Sequence, residues 1–560
     1  MKNNKPFYAL IASIILFFCF PKQVFPLNFN DSEDPKILAS ELVKNMSDED
    51  ALAQTFMLGW AGTSPSPLIL SWIRERRLGG VKVFGWNTEN TVQLAQTIGI
   101  FQAEALKNPA QIPLFVATDQ EGGWVRHVKG TTSQTPGNMA LGASRNLMDA
   151  YYSGYYIAKE LALLGINMNF APTVDLYTNR NSVLIGPRSF GVDPIQAGML
   201  GTAFMRGQRE NGIVSVAKHF PGHGDTAQDS HGVLPQINAN FETLWDRELI
   251  PYRIMIKEGT PAIMSAHVAF PNTPAARTPA SLSHYFLTNI LREKMEFKGV
   301  IVTDDLMMNG AAISSGSLSN SAKQALMAGN DILMFSITPQ FYDAVWTRLI
   351  TAMKEERDFN RQVRESAERI VLLKLKYLRS ENTVPFIPDL EKVKTDIPDA
   401  AGNEFFTDMA ARSITIVKGD SKTIPLFPQE AGRVLLTGQY DDFFTIGKSA
   451  YPQAFIYRYY NSRPNDLIAQ VRNIDTVIFC LAKNDDLNVL NMLQGLRKKV
   501  IVFSILTPIH LDRVPWVDGA IAAYSYATSS FIAGFSVLLG RIPSEGILPF
   551  SLYEPRWTAP

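Results

Sequence analysis

The residues able to do chemistry crowd into one stretch, Lys218-His219-Phe220-Pro221-Gly222-His223-Gly224-Asp225-Thr226-Ala227-Gln228-Asp229-Ser230-His231. It holds His219, His223 and His231, out of 7 histidines in the whole chain. Pro221 and the glycines keep it off helix and strand, so it reads as a shaped loop, the kind of segment that carries function on a rigid scaffold. Asp229 and His231 are two positions apart, a spacing that lets a carboxylate touch an imidazole in a turn. Such a contact fixes the tautomer and supports the charged ring, as general acid–base work requires. The other candidate is Asp304, which follows the apolar run Val300-Ile301-Val302-Thr303. A carboxylate at the end of a buried strand is positioned for nucleophilic attack. Its neighbour Asp305 should face elsewhere, because successive strand residues alternate.

Two chemistries fit these residue types. In metal-assisted hydrolysis, His219, His223, His231, His267 and Asp304 would ligate an ion that activates water. In glycoside hydrolysis, one carboxylate attacks the sugar and a separate group protonates the leaving oxygen. Barrel hydrolases of the metal type usually carry two ligand histidines one residue apart on their first strand. The first β-rich run here, Thr55–Trp60, has no histidine.

The elements that must position these groups are legible from hydropathy. Eight brief apolar runs, Thr55–Trp60, Val81–Trp86, Pro113–Thr118, Ile166–Ala171, Val214–Lys218, Ala262–Ala266, Gly299–Thr303 and Asp331–Phe335, alternate with helical stretches. Short Val/Ile/Phe/Met-rich runs are what strands covered on both faces look like, and the rhythm predicts a (β/α)8 TIM-type barrel over residues 33–380. Polar groups cluster at the ends of these runs: Asp119, Asp175, Arg188, Lys218, His219, His267 and Asp304. In such a barrel the functional face is built there. A stretch richer in Pro and Asp, residues 381–405, reads as a linker. Five further runs, beginning at Arg433, Ala454, Thr476, Val500 and Ala520, predict a smaller α/β sandwich domain with a mostly parallel sheet over residues 406–560. No G-x-G-x-x-G follows its first run, so no dinucleotide cofactor is expected.

Composition sets the outer limits. The 560 residues carry 53 basic and 53 acidic side chains, with 46% hydrophobic and 19% charged residues. That is ordinary globular composition, and a net charge of zero argues against nucleic-acid partners. The chain is expected to act as a monomer. Of the 2 cysteines, Cys19 and Cys480, neither can belong to a disulfide framework or thiolate cage. Residues 1–26, with Lys2 and Lys5 ahead of the apolar run Phe7–Phe20, read as a signal peptide or N-terminal anchor. The run is about 14 residues, short of the roughly 20 needed to span a bilayer. Export to the cell envelope or beyond is expected, with membrane attachment only through this segment.

The stretch Lys218–His231 resembles the signature K-H-F-P-G-H-G-D-T-x-x-D-S-H of β-N-acetylglucosaminidases in glycoside hydrolase family 3. Asp119-Gln120-Glu121-Gly122-Gly123, Ile185-Gly186-Pro187-Arg188-Ser189-Phe190-Gly191 and Thr303-Asp304-Asp305-Leu306-Met307-Met308 are similar to further motifs of that family. The resemblance implies an exo-acting enzyme that removes terminal β-linked GlcNAc by retaining double displacement, without cofactor or metal. Asp304 would be the nucleophile and His231, paired with Asp229, the acid/base. Asp119, Arg188, Lys218, His219 and Asp225 would hold the sugar, with Asp175 behind them. The expected substrate is a small glycan, a muropeptide or chitooligosaccharide. A family β-glucosidase, phosphate in place of water, and a non-catalytic glycan-binding barrel remain alternatives. One departure stands out: Trp124 follows Glu121-Gly122-Gly123 where the family usually has an arginine, so the leaving-group side should differ.

Overall fold

The computed structural model describes residues 27–229, 232–308, 316–459 and 466–552. The N-terminal segment expected as a signal or anchor, and His231, lie outside the described residues. Among those described, no helix is long and apolar enough to cross a membrane.

The eight apolar runs fold as eight parallel strands: β1 (Phe56–Gly59), β2 (Gly80–Val83), β3 (Phe115–Thr118), β4 (Met168–Asn169), β5 (Val214–Phe220), β6 (Ala262–Ser265), β7 (Val300–Thr303) and β8 (Leu333–Phe335). Their order in the sheet is β8-β1-β2-β3-β4-β5-β6-β7. The ring closes between its ends through a parallel bridge of Val302 with Ile332 and a Thr303 amide bond to the Ile332 carbonyl at 2.9 Å. Every residue of these strands is buried, as the near-continuous apolar runs require. Helices begin where polar caps stand. Ser47 accepts from the Asp50 amide at 3.0 Å to open Asp48–Gln54, whose first turn is acidic. Most strands are shorter than the apolar runs, but β5 is longer and carries Lys218, His219 and Phe220 in strand geometry. The run expected as Val81–Trp86 stops at Val83 and turns through Gly85–Asn87.

The stretch expected as a linker is structured. It carries a helix at Leu390–Asp396 and the start of another, Ala400–Ser413, which runs across the predicted 405/406 boundary. Val384, Val393 and Ile397 are buried there, so a few spaced apolar residues pin a segment that looks polar in sequence.

Beyond it lies a six-stranded sheet, β9 (Thr415–Lys418), β10 (Val434–Gly438), β11 (Phe455–Arg458), β12 (Thr476–Leu481), β13 (Lys499–Ser504) and β14 (Gly519–Ala522), in the order β9-β14-β13-β12-β10-β11. All pairs are parallel except the edge strand β9 with β14, a strand the sequence reading missed. Alternate residues serve opposite faces. Val477 and Phe479 join the core that continues into the barrel, whereas Ile478 and Cys480 join a second core under helices. Cys480 is buried, and burial pushes its thiol well above the ordinary range, which makes it inert.

The two halves are pinned by ion pairs and backbone bonds. Arg412 is bidentate to Asp149, and Arg180 reaches Asp512 at 2.6 Å. The Val192 amide donates to the Pro549 carbonyl at 3.1 Å, and Tyr177 packs edge-on against Phe550 with ring centroids 5.2 Å apart.

Candidate active site

At the C-terminal mouth of the barrel, side chains from β2, β3, β5 and the loop after β4 converge into one charged array. Lys218, on β5, is 1% exposed and donates to Asp119 at 2.5 Å and to Glu121 at 2.6 Å. Glu121 is gripped from the other side by Arg188, with Nε to Oε2 at 2.9 Å and Nη2 to Oε1 at 2.7 Å. This two-point geometry is the strong form of the Arg–carboxylate bond. Lys82, fully buried on β2, pairs with Asp119 at 2.8 Å. His219 points its Nδ1 at Asp175, 2.6 Å away, while Arg188 Nη2 lies 3.2 Å from its Nε2. Asp175 also accepts the backbone amide of His223 at 2.7 Å, so one buried carboxylate orients the ring and anchors the loop that follows.

Charge is retained here despite burial. Burial pushes the Glu121 carboxyl up, but Arg188 and Lys218 more than reverse it and bring it to about 2. Asp119 is held well below the usual carboxylate range, because Lys218, Lys82 and His127 outweigh its burial. Burial lowers Lys218, yet Asp119 and Glu121 leave it raised overall. These are fixed ions, in an array where opposite charges compensate desolvation.

Asp304 continues β7. Its amide donates to the Ser265 carbonyl at 3.0 Å, and its Oδ1 accepts the Asp305 amide at 2.8 Å. It is half-buried. Burial pushes its carboxyl up, but His219, His267, the Asp305 N–H and Lys218 outweigh this and hold it below its ordinary value. An ionised carboxylate at the mouth, steadied by one amide, is a competent nucleophile. Asp305 faces elsewhere: its Oδ1 accepts the amides of Met307 at 3.0 Å and Ser336 at 3.1 Å. His267 is wholly buried and spends both ring nitrogens on the wall, on Ser281 Oγ at 2.6 Å and the Asp305 carbonyl at 3.1 Å.

Of the residues singled out in the sequence, Asp119, Arg188, Lys218 and His219 thus come together, with Asp175 behind His219. Asp225 stands apart from this array and pairs with Arg247 at 2.7 Å. It lines a crevice of about 1420 Å³ bounded by Asn179, Arg180 and Gln228 and, from the second domain, by Ile509 and Phe550. Asp229 is exposed on the outer loop, where its carbonyl accepts the Gly232 and Val233 amides at 3.2 and 3.3 Å. Its expected partner His231 is outside the described residues. Two members of the array received no role from the sequence: Glu121, which stood only inside the Asp119–Gly123 motif, and Lys82. A lone lysine inside the apolar strand Gly80–Val83 was the available signal, since lysine is almost never fully buried unless paired.

A parallel eight-stranded barrel with buried ion pairs and a positioned carboxylate at one mouth is the scaffold, and comparison with known proteins defines its family. The family model of the glycosyl hydrolase family 3 N-terminal domain matches residues 51–373, and the chain belongs to that family. It is 31% identical to a protein named beta-hexosaminidase A from Pseudoalteromonas piscicida over 388 residues, covering 65% of this chain and 63% of that one. The chain therefore spans less than two thirds of that relative's length. Over 265 residues it is 37% identical to a beta-hexosaminidase of Tolumonas auensis, covering 47% of this chain and 76% of that one. A solved glycoside hydrolase family 3 β-N-acetylglucosaminidase from Paenibacillus sp. str. FPU-7 superposes with a TM-score of 0.82 at 27% identity, over 90% of this chain and 99% of that one.

Proposed function

We propose that the protein is an exported, exo-acting β-N-acetylglucosaminidase that cleaves terminal β-linked GlcNAc, with peptidoglycan fragments as its source of substrate. The observation that carries this reading is the array Asp119–Lys218–Glu121–Arg188–His219 standing at the same mouth as the ionised Asp304. Buried ions of both signs suit a neutral, many-hydroxyl sugar, which needs donors and acceptors rather than net charge. The relatives named beta-hexosaminidase support the choice of amino sugar.

In this mechanism the Asp304 carboxylate attacks the anomeric carbon while His231 gives its proton to the departing glycosidic oxygen. A glycosyl ester on Asp304 results. His231, now neutral, takes a proton from water, whose oxygen displaces Asp304 and restores the starting configuration. Asp229 steadies the imidazolium in the first step.

The test is turnover of an aryl β-GlcNAc and of a natural disaccharide by two variants. Asp304→Ala is expected to lose on the order of 10⁴-fold or more in kcat on both; near-normal activity would remove the reading. His231→Ala is expected to lose roughly 10²–10⁴-fold on the disaccharide and less on the first step with an activated aryl group. Equal losses on both substrates would make His231 a structural residue.

A further inference from the structure

Outside the charged array, the barrel rim carries an aromatic ring that the fold holds open to solvent. β2 ends at Val83, so the turn Phe84–Asn87 stands at the same end of the barrel as Asp119 and Asp304. Trp86, in that turn, is 50% exposed. Its ring lies flat on Phe84, with centroids 4.5 Å apart and planes 5° from parallel. One face is therefore covered, and among the described residues half of the residue stays open to solvent. The indole Nε1 donates to the Trp60 carbonyl at 2.9 Å, so the polar edge is already satisfied and the ring offers an apolar face.

The turn that presents this face is pinned. The Asn87 amide nitrogen donates to the Trp60 and Gly62 carbonyls at 3.0 and 2.6 Å, while its Oδ1 accepts the Phe84 amide at 2.8 Å. A fixed ring loses little entropy on binding, which is why rigid aromatics serve as contact surfaces. The ring also connects to the site. The ammonium of Lys82 sits 4.2 Å from the Phe84 ring centroid and pairs with Asp119 at 2.8 Å. Phe84 thus backs onto the lysine that pairs with Asp119, the carboxylate expected to hold the terminal sugar, and Trp86 stacks on the Phe84 ring.

We propose that Trp86 is a stacking platform for the second sugar ring of the substrate, the β-linked pyranose released as leaving group. The C–H face of such a ring matches a flat apolar surface, and its hydroxyls stay in water. The inference rests on the glycosidase reading above and deepens it, because it makes the preferred substrate a saccharide rather than a simple glycoside.

The test compares kcat/KM for β-1,4-linked GlcNAc disaccharide with that for methyl β-GlcNAc, which has no second ring. Trp86→Ala is expected to lower the disaccharide-to-methyl ratio roughly five- to ten-fold, the worth of one aromatic stacking contact. Trp86→Phe keeps a ring but loses the bond to Trp60, and is expected to retain most of the ratio. An unchanged ratio in Trp86→Ala overturns the proposal. Equal loss in Trp86→Phe also overturns it, since the effect would then belong to the bond with Trp60. A wild-type enzyme that cleaves neither glycoside overturns the glycosidase reading, and the subsite with it.

Discussion

The barrel buries lysines at both of its ends, and they live in opposite electrostatic worlds. At the mouth, Lys218 is held between Asp119 and Glu121, and Lys82 pairs with Asp119. At the other end, Lys374 on the helix Arg357–Tyr377 is 0% exposed. Its ammonium meets the Gln54 side-chain oxygen at 2.9 Å and lies 5.3 Å from the Phe115 ring centroid. Gln54 and Phe115 stand where β1 and β3 begin. Burial alone lowers Lys374 to about 7, whereas carboxylates leave Lys218 raised. Similar burial therefore leaves Lys218 raised between two carboxylates and Lys374 lowered, while Lys82, paired with Asp119 alone, is also lowered because burial outweighs that partner. At the mouth two carboxylates offset the burial of Lys218, whereas the ammonium of Lys374 meets the neutral oxygen of Gln54.

The comparison breaks most severely at Glu121, which holds two cations at once. Glu121→Gln keeps the shape but takes the charged acceptor from Arg188 and leaves Lys218 with Asp119 as its carboxylate partner. Breaking a buried pair by removing one partner costs about 3–5 kcal/mol. We expect kcat/KM on a GlcNAc glycoside to fall roughly 10²–10³-fold, with a lowered melting temperature. A variant with wild-type kinetics would mean that the array only braces the fold.

Lys374 sharpens the other side of the comparison. Its folded value, about 7, is below the roughly 10.4 of an unfolded lysine. Between these values the unfolded chain binds a proton that the folded chain does not, so stability must rise as pH increases from about 7 towards 10. Lys374→Met removes this contribution. It is expected to stabilise the protein at pH 6 by about 2 kcal/mol, after allowing for the Gln54 oxygen left unpartnered. Urea midpoints at pH 6 and pH 9 decide it: the gain should shrink at the higher pH. Parallel shifts at both values would show that Lys374 stays charged.

How much of this was legible beforehand follows from the distance over which each feature is specified. The strands are local, and their apolar runs showed all eight barrel members and five of the six in the second sheet. β9 escaped because Thr415–Lys418 is half open to solvent and follows directly on a helix. The site is not local. Lys218 meets Asp119 across 99 positions, Arg188 meets Glu121 across 67, and His219 meets Asp175 across 44. Strand-end placement marked Lys218, Arg188 and Asp119 as candidates, but only barrel closure decides which partners face each other. Glu121 was hidden for that reason, its chemistry being invisible until Arg188 and Lys218 arrive on either side. Asp225, expected from the resemblance to hold the sugar, pairs with Arg247 at 2.7 Å and lines the interdomain crevice.

The smallest expected effect lies at the surface, at an ion pair that is both more exposed and less connected. Arg180 reaches Asp512 at 2.6 Å and also donates to the Leu552 carbonyl at 2.6 Å, a contact between the two domains. The pair has the same chemical types as Arg188 with Glu121 and a comparable length. Its side chains, however, are 39% and 26% exposed, against 8% and 1%. Water screens the exposed pair and would solvate either partner left alone, so Arg180→Ala should cost no more than about 1 kcal/mol. The cost should shrink further in 0.5 M salt, and turnover should stay near wild type. A loss as large as that of Glu121→Gln would mean that the second domain holds the catalytic loop in place through this contact, and that burial is not what separates the two pairs.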